Sequence, residues 1–251
     1  MTEQTPIRAI IPAAGKGSRL HCSDIPKAMH LLLGQPLLEI VLENTGFIAP
    51  ENTYIVVGYK KEKITEYFGD RYRYVVQNEQ LGTGHAVHIC AGEFSDFDGT
   101  VLVTFGDMPF FRREVLTEVC KVRAESGAGC TLLTAFDPAE KDWAKIVRDQ
   151  NGDFTAIVEG RDLTEEQNRT GELFAGVLAF DSKALFRILP KLGRGNAQGE
   201  YYLTEVPGLM RQEGLLVNMV KTDDLNDLCG VNTPEDLERC EQVMKARKKG
   251  C

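Results

Sequence analysis

The sequence predicts an α/β protein with a mainly parallel, mixed sheet and helices on both faces. Two observations carry this prediction: short apolar runs recur through the first half of the chain, and segments of helix length separate them. Parallel strands need long crossover connections, so this alternation is typical of βαβ units. The second half departs from the pattern, because Asn151-Gly152 lies between two apolar segments and is a strong hairpin signal.

In the first half, apolar runs that end in polar or glycine-bearing segments predict buried parallel strands. The expected strands are Ile7–Ala13, Thr53–Tyr59, Tyr72–Gln77, Val101–Phe105 and Cys130–Phe136. Helices are expected from Pro36 to near Gly46, from Lys60 onward, and over Arg112–Ser126. Ligands bind such sheets beyond the carboxyl ends of the strands, so functional residues are expected in the loops that follow them.

The second half predicts a hairpin, a further strand and two helices. The hairpin pairs Ile146–Arg148 with Phe154–Glu159, and Gly176–Phe180 is the next strand. One helix is expected over Leu203–Gln212, and Thr233 is the expected N-cap of the last helix.

The chain contains no repeat, no low-complexity linker and no clear boundary, so we expect one domain over residues 1–251. Its first half is residues 1–136, its mixed second half is residues 137–232, and its C-terminal helix is residues 233–249. The basic run at 245–249 complements the negative pole of that helix.

Charge and composition exclude several classes of protein. The 251 residues include 37 acidic and 29 basic side chains, for a net charge of −8, and such a surface repels nucleic acid. No apolar run approaches the roughly 20 residues that a membrane helix needs, and the first five residues do not resemble a signal peptide. Seven cysteines without a Cys-x-x-Cys pair indicate reduced thiols rather than disulfides or a zinc site. We therefore expect a cytoplasmic protein without a nucleic-acid or membrane partner, of open oligomeric state.

A glycine-rich, cationic loop follows the first predicted strand. Its backbone N–H groups can approach phosphate oxygens, and Lys16 and Arg19 supply positive charge. A Walker A loop needs Ser or Thr where Gly17 stands, and the dinucleotide fingerprint needs Gly where Leu20 stands, so neither motif fits. Phosphate binding and a plain structural turn are equally consistent with this loop.

Four further features can contribute chemistry. Lys27 lies in a stretch without helical pattern and can fold back over the same phosphates, and Gln80-Leu81-Gly82-Thr83 is a second glycine turn. Asp107 ends the fourth predicted strand and can coordinate Mg²⁺, while Asn232 offers a neutral oxygen before the last helix. Each also fits a turn, a helix cap or a surface side chain, and His85 fits packing better than metal binding.

Taken in order, these segments resemble one family. The resemblance covers about residues 7–240 and rests on AAGKGSRL, IPKAMH, GQPLLE, VVGY, QNEQLGTGHAV, VLVTFGDMP, KIVRDQNG, IVEGRD, NAQGEYYLTE and GVNT. The chain is similar to the uridylyltransferase domain of the bifunctional N-acetylglucosamine-1-phosphate uridylyltransferase/glucosamine-1-phosphate acetyltransferase, a sugar-phosphate nucleotidyltransferase. The resemblance, which is to the nucleotidyl-transferring half alone, implies a Rossmann-like three-layer nucleotidyltransferase fold. It places the nucleotide in the first half of the chain and the acceptor in the second.

The resemblance also implies a role for each candidate. Arg19, Lys27 and Asp107 would be catalytic, and Mg²⁺ would be the cofactor, held by Asp107 and Asn232. One extra residue separates Arg19 from Pro26 relative to the family, which a loop can absorb. The implied nucleotide-binding residues are Pro12, Ala13, Ala14, Gly15, Lys16, Gly17, Gln77, Gln80, Gly82, Thr83 and Asp107.

Departures from the family are concentrated on the acceptor side, where the implied residues are Phe105, Ala144, Glu159, Phe174 and Asn232. Trp143-Ala144-Lys145 replaces Tyr-Gly-Arg, Phe174-Ala175 replaces Asn-Thr, and Phe105 replaces Tyr. In the family that Asn bonds the N-acetyl group of the acceptor. Leaving a polar substrate group without its partner costs about 1–3 kcal/mol.

We therefore expect an Mg²⁺-dependent enzyme that joins a nucleoside triphosphate to a sugar-1-phosphate other than N-acetylglucosamine-1-phosphate, with release of pyrophosphate. UTP is the favoured donor, because Gln77 and Gly82-Thr83 match the uridylyl pattern of the family. Two alternatives stay open: CTP-dependent transfer to a phospho-alcohol or another small phosphate, and a non-catalytic nucleotide-sugar sensor. The expected partners are these small-molecule substrates.

Overall fold

A computed structural model of the protein describes residues 5–20, 24–141 and 143–249, which contain eleven strands and eight α-helices joined by short 3₁₀ turns. The strands are β1 (Ile7–Pro12), β2 (Leu31–Leu32), β3 (Gln35–Pro36), β4 (Thr53–Val57), β5 (Arg73–Val76), β6 (Thr100–Val103), β7 (Cys130–Phe136), β8 (Lys145–Arg148), β9 (Phe154–Val158), β10 (Glu172–Asp181) and β11 (Val217–Lys221). The helices are α1 (Leu37–Asn44), α2 (Lys61–Phe68), α3 (Thr83–His88), α4 (Arg113–Ser126), α5 (Glu165–Asn168), α6 (Ser182–Ile188), α7 (Val206–Gln212) and α8 (Pro234–Lys249).

One mixed sheet forms the centre of the molecule. Its strand order is β11-β7-β10-β6-β1-β4-β5, and the hairpin β8–β9 joins it through β10. β1 runs parallel to β4 and β6, β4 to β5, and β7 to β11. β10 runs antiparallel to both of its neighbours, β6 and β7. The mainly parallel, mixed sheet that the sequence predicts is confirmed.

Helices cover both faces of this sheet, because successive strand residues point to opposite sides. On one side of β1, Ile10 belongs to an apolar cluster with Val87 of α3 and Leu185 of α6. On the other side, Ala9 belongs to a cluster with Val119 of α4. The two apolar layers hold β1, β4 and β6 rigidly, and the loops at their carboxyl ends therefore start from fixed positions.

Two expected elements differ from the structure by more than two residues at one end. The strand expected over Gly176–Phe180 is the second part of the longer β10, whose register against β7 shifts between Phe174 and Leu178. Gly176 lies inside this irregularity with a φ of +88°, which explains why the apolar pattern is interrupted there. The helix expected over Leu203–Gln212 is a 3₁₀ turn, Leu203–Glu205, followed by α7.

The C-terminal helix α8 begins as the sequence predicts. The Thr233 hydroxyl accepts a hydrogen bond from the Asp236 N–H at 3.2 Å, and Asp236 accepts one from the Thr233 N–H at 3.0 Å. At its far end, Arg247 donates to the Phe110 carbonyl and to Asp227, which fixes α8 against the body. Even α8, the longest helix of the described ranges, is neither long nor apolar enough to span a bilayer.

Candidate active site

The glycine loop leaves β1 at the carboxyl edge of the sheet and folds against the segment that carries Lys27. The Ala13 N–H donates to the Val56 carbonyl at 2.8 Å, and the Lys27 N–H donates to the Gly15 carbonyl at 3.3 Å. Gly17 has a φ of +67°, and a Cβ there would lie 3.0 Å from the Lys27 Cβ. A larger residue at 17 would push the two segments apart.

A cavity of about 250 Å³ lies beyond the carboxyl ends of β1, β5 and β6. Nine of the eleven predicted nucleotide-binding residues line it, together with Lys27. The other two, Lys16 and Gly17, do not line it: the Lys16 side chain is exposed, with its ammonium 5.5 Å from the centre of the Tyr59 ring. The lining residues are Pro12, Ala13, Ala14, Gly15, Lys27, Ala28, Gln77, Gln80, Gly82, Thr83, Ala86, Phe105, Asp107 and Glu200.

Gln77 is held firmly at the base of this cavity. Its side-chain nitrogen donates to the Gly82 carbonyl at 3.2 Å and lies 3.0 Å from His85 Nδ1. Burial lowers the pKa of His85, so the ring is neutral near pH 7 and Nδ1 can accept this hydrogen bond. His85 packs and orients the site, as its position predicts, and belongs to no metal-ligand group within the described part of the chain.

The second glycine turn is joined to a segment that sequence reasoning did not connect with it. The Gly84 N–H donates to the Tyr201 carbonyl at 2.8 Å, and the Thr83 hydroxyl accepts from the Leu203 N–H at 3.0 Å. Gly82 has a φ of +110°, and a Cβ there would lie 2.6 Å from the Tyr201 carbonyl oxygen. Glycine is therefore required at 82, and the turn cannot move without residues 201–203.

Four charged or polar side chains from distant parts of the chain meet at one end of the cavity. The Lys27 ammonium contacts the Asp107 carboxylate and donates to Asn232 Oδ1 at 2.7 Å. Arg19 donates to the same oxygen at 3.0 Å. The backbone supports this meeting, because the Val231 N–H donates to the Asp107 carbonyl at 3.0 Å. All three predicted catalytic residues and the second predicted metal ligand thus lie in one cluster.

Asp107 and Asn232 suit a magnesium ion by their chemistry. A carboxylate and an amide oxygen are hard ligands, and both contact the same Lys27 ammonium, so one small cation can reach both. In the described ranges no group of three or more His, Cys, Asp and Glu side chains forms a metal site. Two protein oxygens supplemented by substrate phosphates are the arrangement that Mg²⁺ commonly uses.

A second cavity of about 390 Å³ adjoins the first, and both are lined by Thr83, Phe105 and Asp107. All five predicted acceptor residues line it. Sequence reasoning missed Arg161, Gln198 and Thr204, although the last two belong to the motif NAQGEYYLTE. The lining residues are Arg19, Thr83, Phe105, Asp107, Met108, Trp143, Ala144, Glu159, Gly160, Arg161, Phe174, Gly176, Gln198, Thr204, Gly230 and Asn232.

Phe174 is fixed at the wall of this second cavity. It is 5% exposed, its N–H donates to the Ala144 carbonyl at 2.9 Å, and its carbonyl accepts from the Trp143 indole N–H at 2.6 Å. A Cβ on Gly176 would lie 2.6 Å from the Met108 sulfur, so the bulge below Phe174 is close-packed. The wall is consequently apolar and rigid at this point.

Glu159 supplies a polar part of the lining of the second cavity. Its carboxylate accepts a hydrogen bond from the Thr204 hydroxyl at 2.8 Å. Burial raises the pKa of Glu159, and the nearby Asp162 and Glu200 carboxylates add to the rise. The lining of the second cavity therefore combines an acidic hydrogen-bonding group with an aromatic one.

The chain is similar in sequence to known proteins. The model of the MobA-like NTP transferase domain matches residues 9–194, which include the glycine loop, Lys27, Gln77 and Asp107. The chain is 36% identical over 239 residues to the bifunctional protein GlmU of Staphylococcus carnosus and 37% identical over 239 residues to that of Bacillus cytotoxicus. Each alignment covers 95% of this chain and 52% of the relative, so the chain spans about half the length of these curated relatives.

A solved structure shows the same fold. The putative glucose-1-phosphate thymidylyltransferase from Bacillus anthracis, in complex with a sucrose, superposes with a TM-score of 0.74 at 19% identity and covers 94% of both chains. The resemblance seen in the sequence and the expected class of enzyme are confirmed at the level of a nucleotidyltransferase. The chain belongs to the family of MobA-like NTP transferase domains.

Proposed function

We propose that the protein transfers a uridylyl group from UTP to a sugar-1-phosphate other than N-acetylglucosamine-1-phosphate, in a reaction that depends on Mg²⁺ and releases pyrophosphate. One observation carries the proposal: the two cavities meet at Asp107, and Arg19 and Lys27 stand at the junction. A nucleotide in the first and a phosphorylated acceptor in the second would bring their phosphates together there.

The reaction requires that the two phosphate groups are positioned next to each other and that their negative charge is compensated. An oxygen of the acceptor phosphate attacks the α-phosphorus, a new P–O bond forms, and the bond to pyrophosphate breaks in line. The attacking oxygen is already anionic, so no general base is needed. The Lys27 and Arg19 cations hold the triphosphate and balance the charge that moves onto the leaving pyrophosphate.

The metal would be held by the two oxygens described above, those of Asp107 and Asn232. When bound, Mg²⁺ would supply positive charge that stabilises the negative charge of the reacting phosphates. Lys27 would then donate its hydrogen bonds to phosphate oxygens instead of to Asp107 and Asn232.

The contacts of Gln77 favour uracil over cytosine. Its amide nitrogen is engaged by the Gly82 carbonyl and by His85, which leaves the amide oxygen as the polar atom for a base. An amide oxygen can accept a hydrogen bond from the N3–H of uracil, whereas cytosine has no donor at N3 and would have to shift so that its 4-amino group donates instead. A CTP-dependent reaction with a phospho-alcohol is the second candidate, because the first glycine loop is common to both types of transferase.

Phe174 is the reason to exclude N-acetylglucosamine-1-phosphate. The buried ring presents carbon where the related enzymes are expected to carry an amide, and the Trp143 hydrogen bond keeps its backbone in place. An acetamido group desolvated against this wall would lose about 1–3 kcal/mol, equivalent to about 5- to 150-fold in kcat/KM.

The test is Mg²⁺-dependent pyrophosphate release with each of the four nucleoside triphosphates and a panel of sugar-1-phosphates and phospho-alcohols. Asp107→Ala is the blank, because it removes one of the two oxygens expected to hold the metal. Turnover with UTP and an unacetylated hexose-1-phosphate supports the proposal. Best turnover with N-acetylglucosamine-1-phosphate overturns the acceptor assignment. Binding of UTP without turnover of any acceptor would instead support a nucleotide-sugar sensor.

A further inference from the structure

Two cysteine side chains that the proposed reaction does not use lie against each other beside the active site. Cys229 follows the 3₁₀ turn Leu225–Leu228 and stands three residues before Asn232, while Cys240 lies on α8. Both belong to the apolar cluster that attaches α8 to the body, together with Val231. Cys240 is completely buried and Cys229 is 6% exposed.

The two thiols differ in acidity because of their contact. Cys229 and Cys240 share one buried apolar cluster, where the neighbouring Cys240 thiol lowers the pKa of Cys229, and the Arg239 and Arg247 cations act in the same direction. The same contact, with burial, raises the pKa of Cys240. Burial raises the pKa of Cys90 and Cys120 to about 12, so these thiols stay protonated. A thiolate next to a thiol is the arrangement that reacts with oxidants.

Cys229 is also the accessible member of the pair. It lines a cavity of about 200 Å³ that is also lined by Arg239, Trp143 and Val243, large enough for a small hydroperoxide. Trp143 also lines the second cavity, so the two cavities share this side chain.

We propose that Cys229 and Cys240 form an oxidisable dithiol whose disulfide displaces Asn232 and weakens metal binding at the active site. The Cys229 thiolate attacks one oxygen of a hydroperoxide, the O–O bond breaks, and an alcohol or water leaves with a sulfenic acid on Cys229. The Cys240 sulfur then attacks the Cys229 sulfur, the S–O bond breaks, and the hydroxyl leaves as water with the Cys240 proton. In total, the two thiols lose two electrons and the hydroperoxide gains them.

The disulfide shortens the distance between the two sulfurs. A covalent bond of about 2.05 Å replaces a non-covalent contact between sulfur atoms, so Cys229 must move toward α8. Between Cys229 and α8, the Val231 N–H is tied to the Asp107 carbonyl and the Asn232 N–H to Asp236 at 2.9 Å. When Cys229 moves, the segment Gly230–Asn232 must therefore change its conformation, and Asn232 Oδ1 moves away from Lys27 and Asp107. This consequence, though not the dithiol itself, rests on the proposed role of Asn232 as a metal ligand.

The first experiment follows the thiols. The full chain carries Cys22→Ser and Cys251→Ser, because these two cysteines lie outside the described residues, and five thiols remain. We expect one equivalent of hydrogen peroxide to remove two of the five thiols, peptide mapping to find Cys229 joined to Cys240, and dithiothreitol to restore both. In the Cys240→Ala variant, Cys229 should stop at the sulfenic acid and react with dimedone. The Cys120→Ala variant, which removes another buried thiol, should still form the disulfide.

Retention of both thiols under conditions that oxidise Cys90 or Cys120 would overturn the dithiol.

The second experiment measures Mn²⁺ binding by electron paramagnetic resonance in the reduced and oxidised protein, without substrates. We expect at least fivefold weaker binding after oxidation, reversed by dithiothreitol. Equal affinities in the two forms would overturn the displacement of Asn232. Failure of the proposed reaction would be seen separately, as absence of turnover by the reduced protein.

Discussion

Replacement of Lys27 by methionine should change metal binding and turnover in opposite directions. In the free protein the Lys27 ammonium occupies the position between Asp107 and Asn232, which are the two oxygens available to a metal. A cation that binds there must displace a positive charge, and the methionine variant removes that requirement. The same ammonium is expected to hold phosphate oxygens once substrates are present, so its loss should slow the reaction.

The magnitude follows from the environment of the pair. Two unit charges about 4 Å apart interact by about 4 kcal/mol at an effective dielectric constant near 20. The Lys27 and Asp107 side chains are 16% and 25% exposed, so water screens part of this energy. We expect about 1–2 kcal/mol, which corresponds to roughly 5- to 30-fold tighter binding of Mn²⁺ without nucleotide. Turnover should fall about 100- to 1,000-fold, as when one donor to a developing anionic charge is removed.

The assays are Mn²⁺ titration followed by electron paramagnetic resonance, and pyrophosphate release at saturating substrates. Lys183→Met is the matched control, because that lysine is 71% exposed and pairs only with Asp98 among the contacts of the described chain. Its metal affinity and turnover should stay within twofold of the parent protein. Unchanged or weaker Mn²⁺ binding by the Lys27→Met protein would refute the idea that the ammonium competes with the metal for these oxygens.

Three further changes test other parts of the structure. Asp227→Ala should lower the free energy of unfolding, measured by urea titration, by about 3–5 kcal/mol. The reason is that the completely buried Asp227 carboxylate binds Arg112, Arg247 and Thr222. The control is Asp223→Ala, whose side chain is 89% exposed and whose loss should cost less than about 0.5 kcal/mol. Phe174→Asn should raise kcat/KM for N-acetylglucosamine-1-phosphate about 5- to 150-fold relative to an unacetylated hexose-1-phosphate, and a ratio that does not change would contradict the assigned role of Phe174. His85→Gln should reduce the loss of stability that the parent protein shows between pH 7.5 and 5.5. Burial lowers the pKa of His85 in the folded protein below its value in the unfolded chain, so the unfolded chain binds the proton first as the pH falls. The parent protein therefore loses stability as the pH falls through the folded pKa, and the variant lacks this contribution. Equal pH dependence of the variant and the parent protein in urea titrations would exclude this contribution.

Much of the site could be predicted because its residues follow strands. The carboxyl ends of parallel strands share one edge of a sheet, so the loops that follow the predicted strands are expected there, and Asp107 is a candidate on that ground. The places of Ala14 and Gln77 in the site come from the resemblance to the family. The sequence could not show which loop side chains turn inward. Lys16 does not line the cavity, because its ammonium lies near the Tyr59 ring, a placement that depends on three-dimensional packing.

The unpredicted contacts are those made between residues that no local pattern relates. The hydrogen bond from Trp143 to the Phe174 carbonyl joins β10 to the segment before β8, 31 residues earlier in the chain. The contact between Cys229 and Cys240 likewise requires α8 to return to the body of the protein. Spacing rules for cysteines detect metal sites and disulfide frameworks, and they do not detect a thiol pair formed by docking of a helix.

The site is therefore completed by an element outside the sheet. Asn232 stands where the chain enters α8, and its N–H is held by Asp236 in the first turn of that helix. Arg247, in the last turns, anchors α8 to the buried Asp227, five residues before Asn232. The position of one expected metal ligand thus depends on both ends of one helix, whereas Asp107 depends on the sheet. A perturbation of α8, by oxidation of the thiol pair or by loss of the Asp227 anchor, should weaken metal binding while the nucleotide cavity stays intact. This separation predicts that such proteins still bind UTP in the absence of metal.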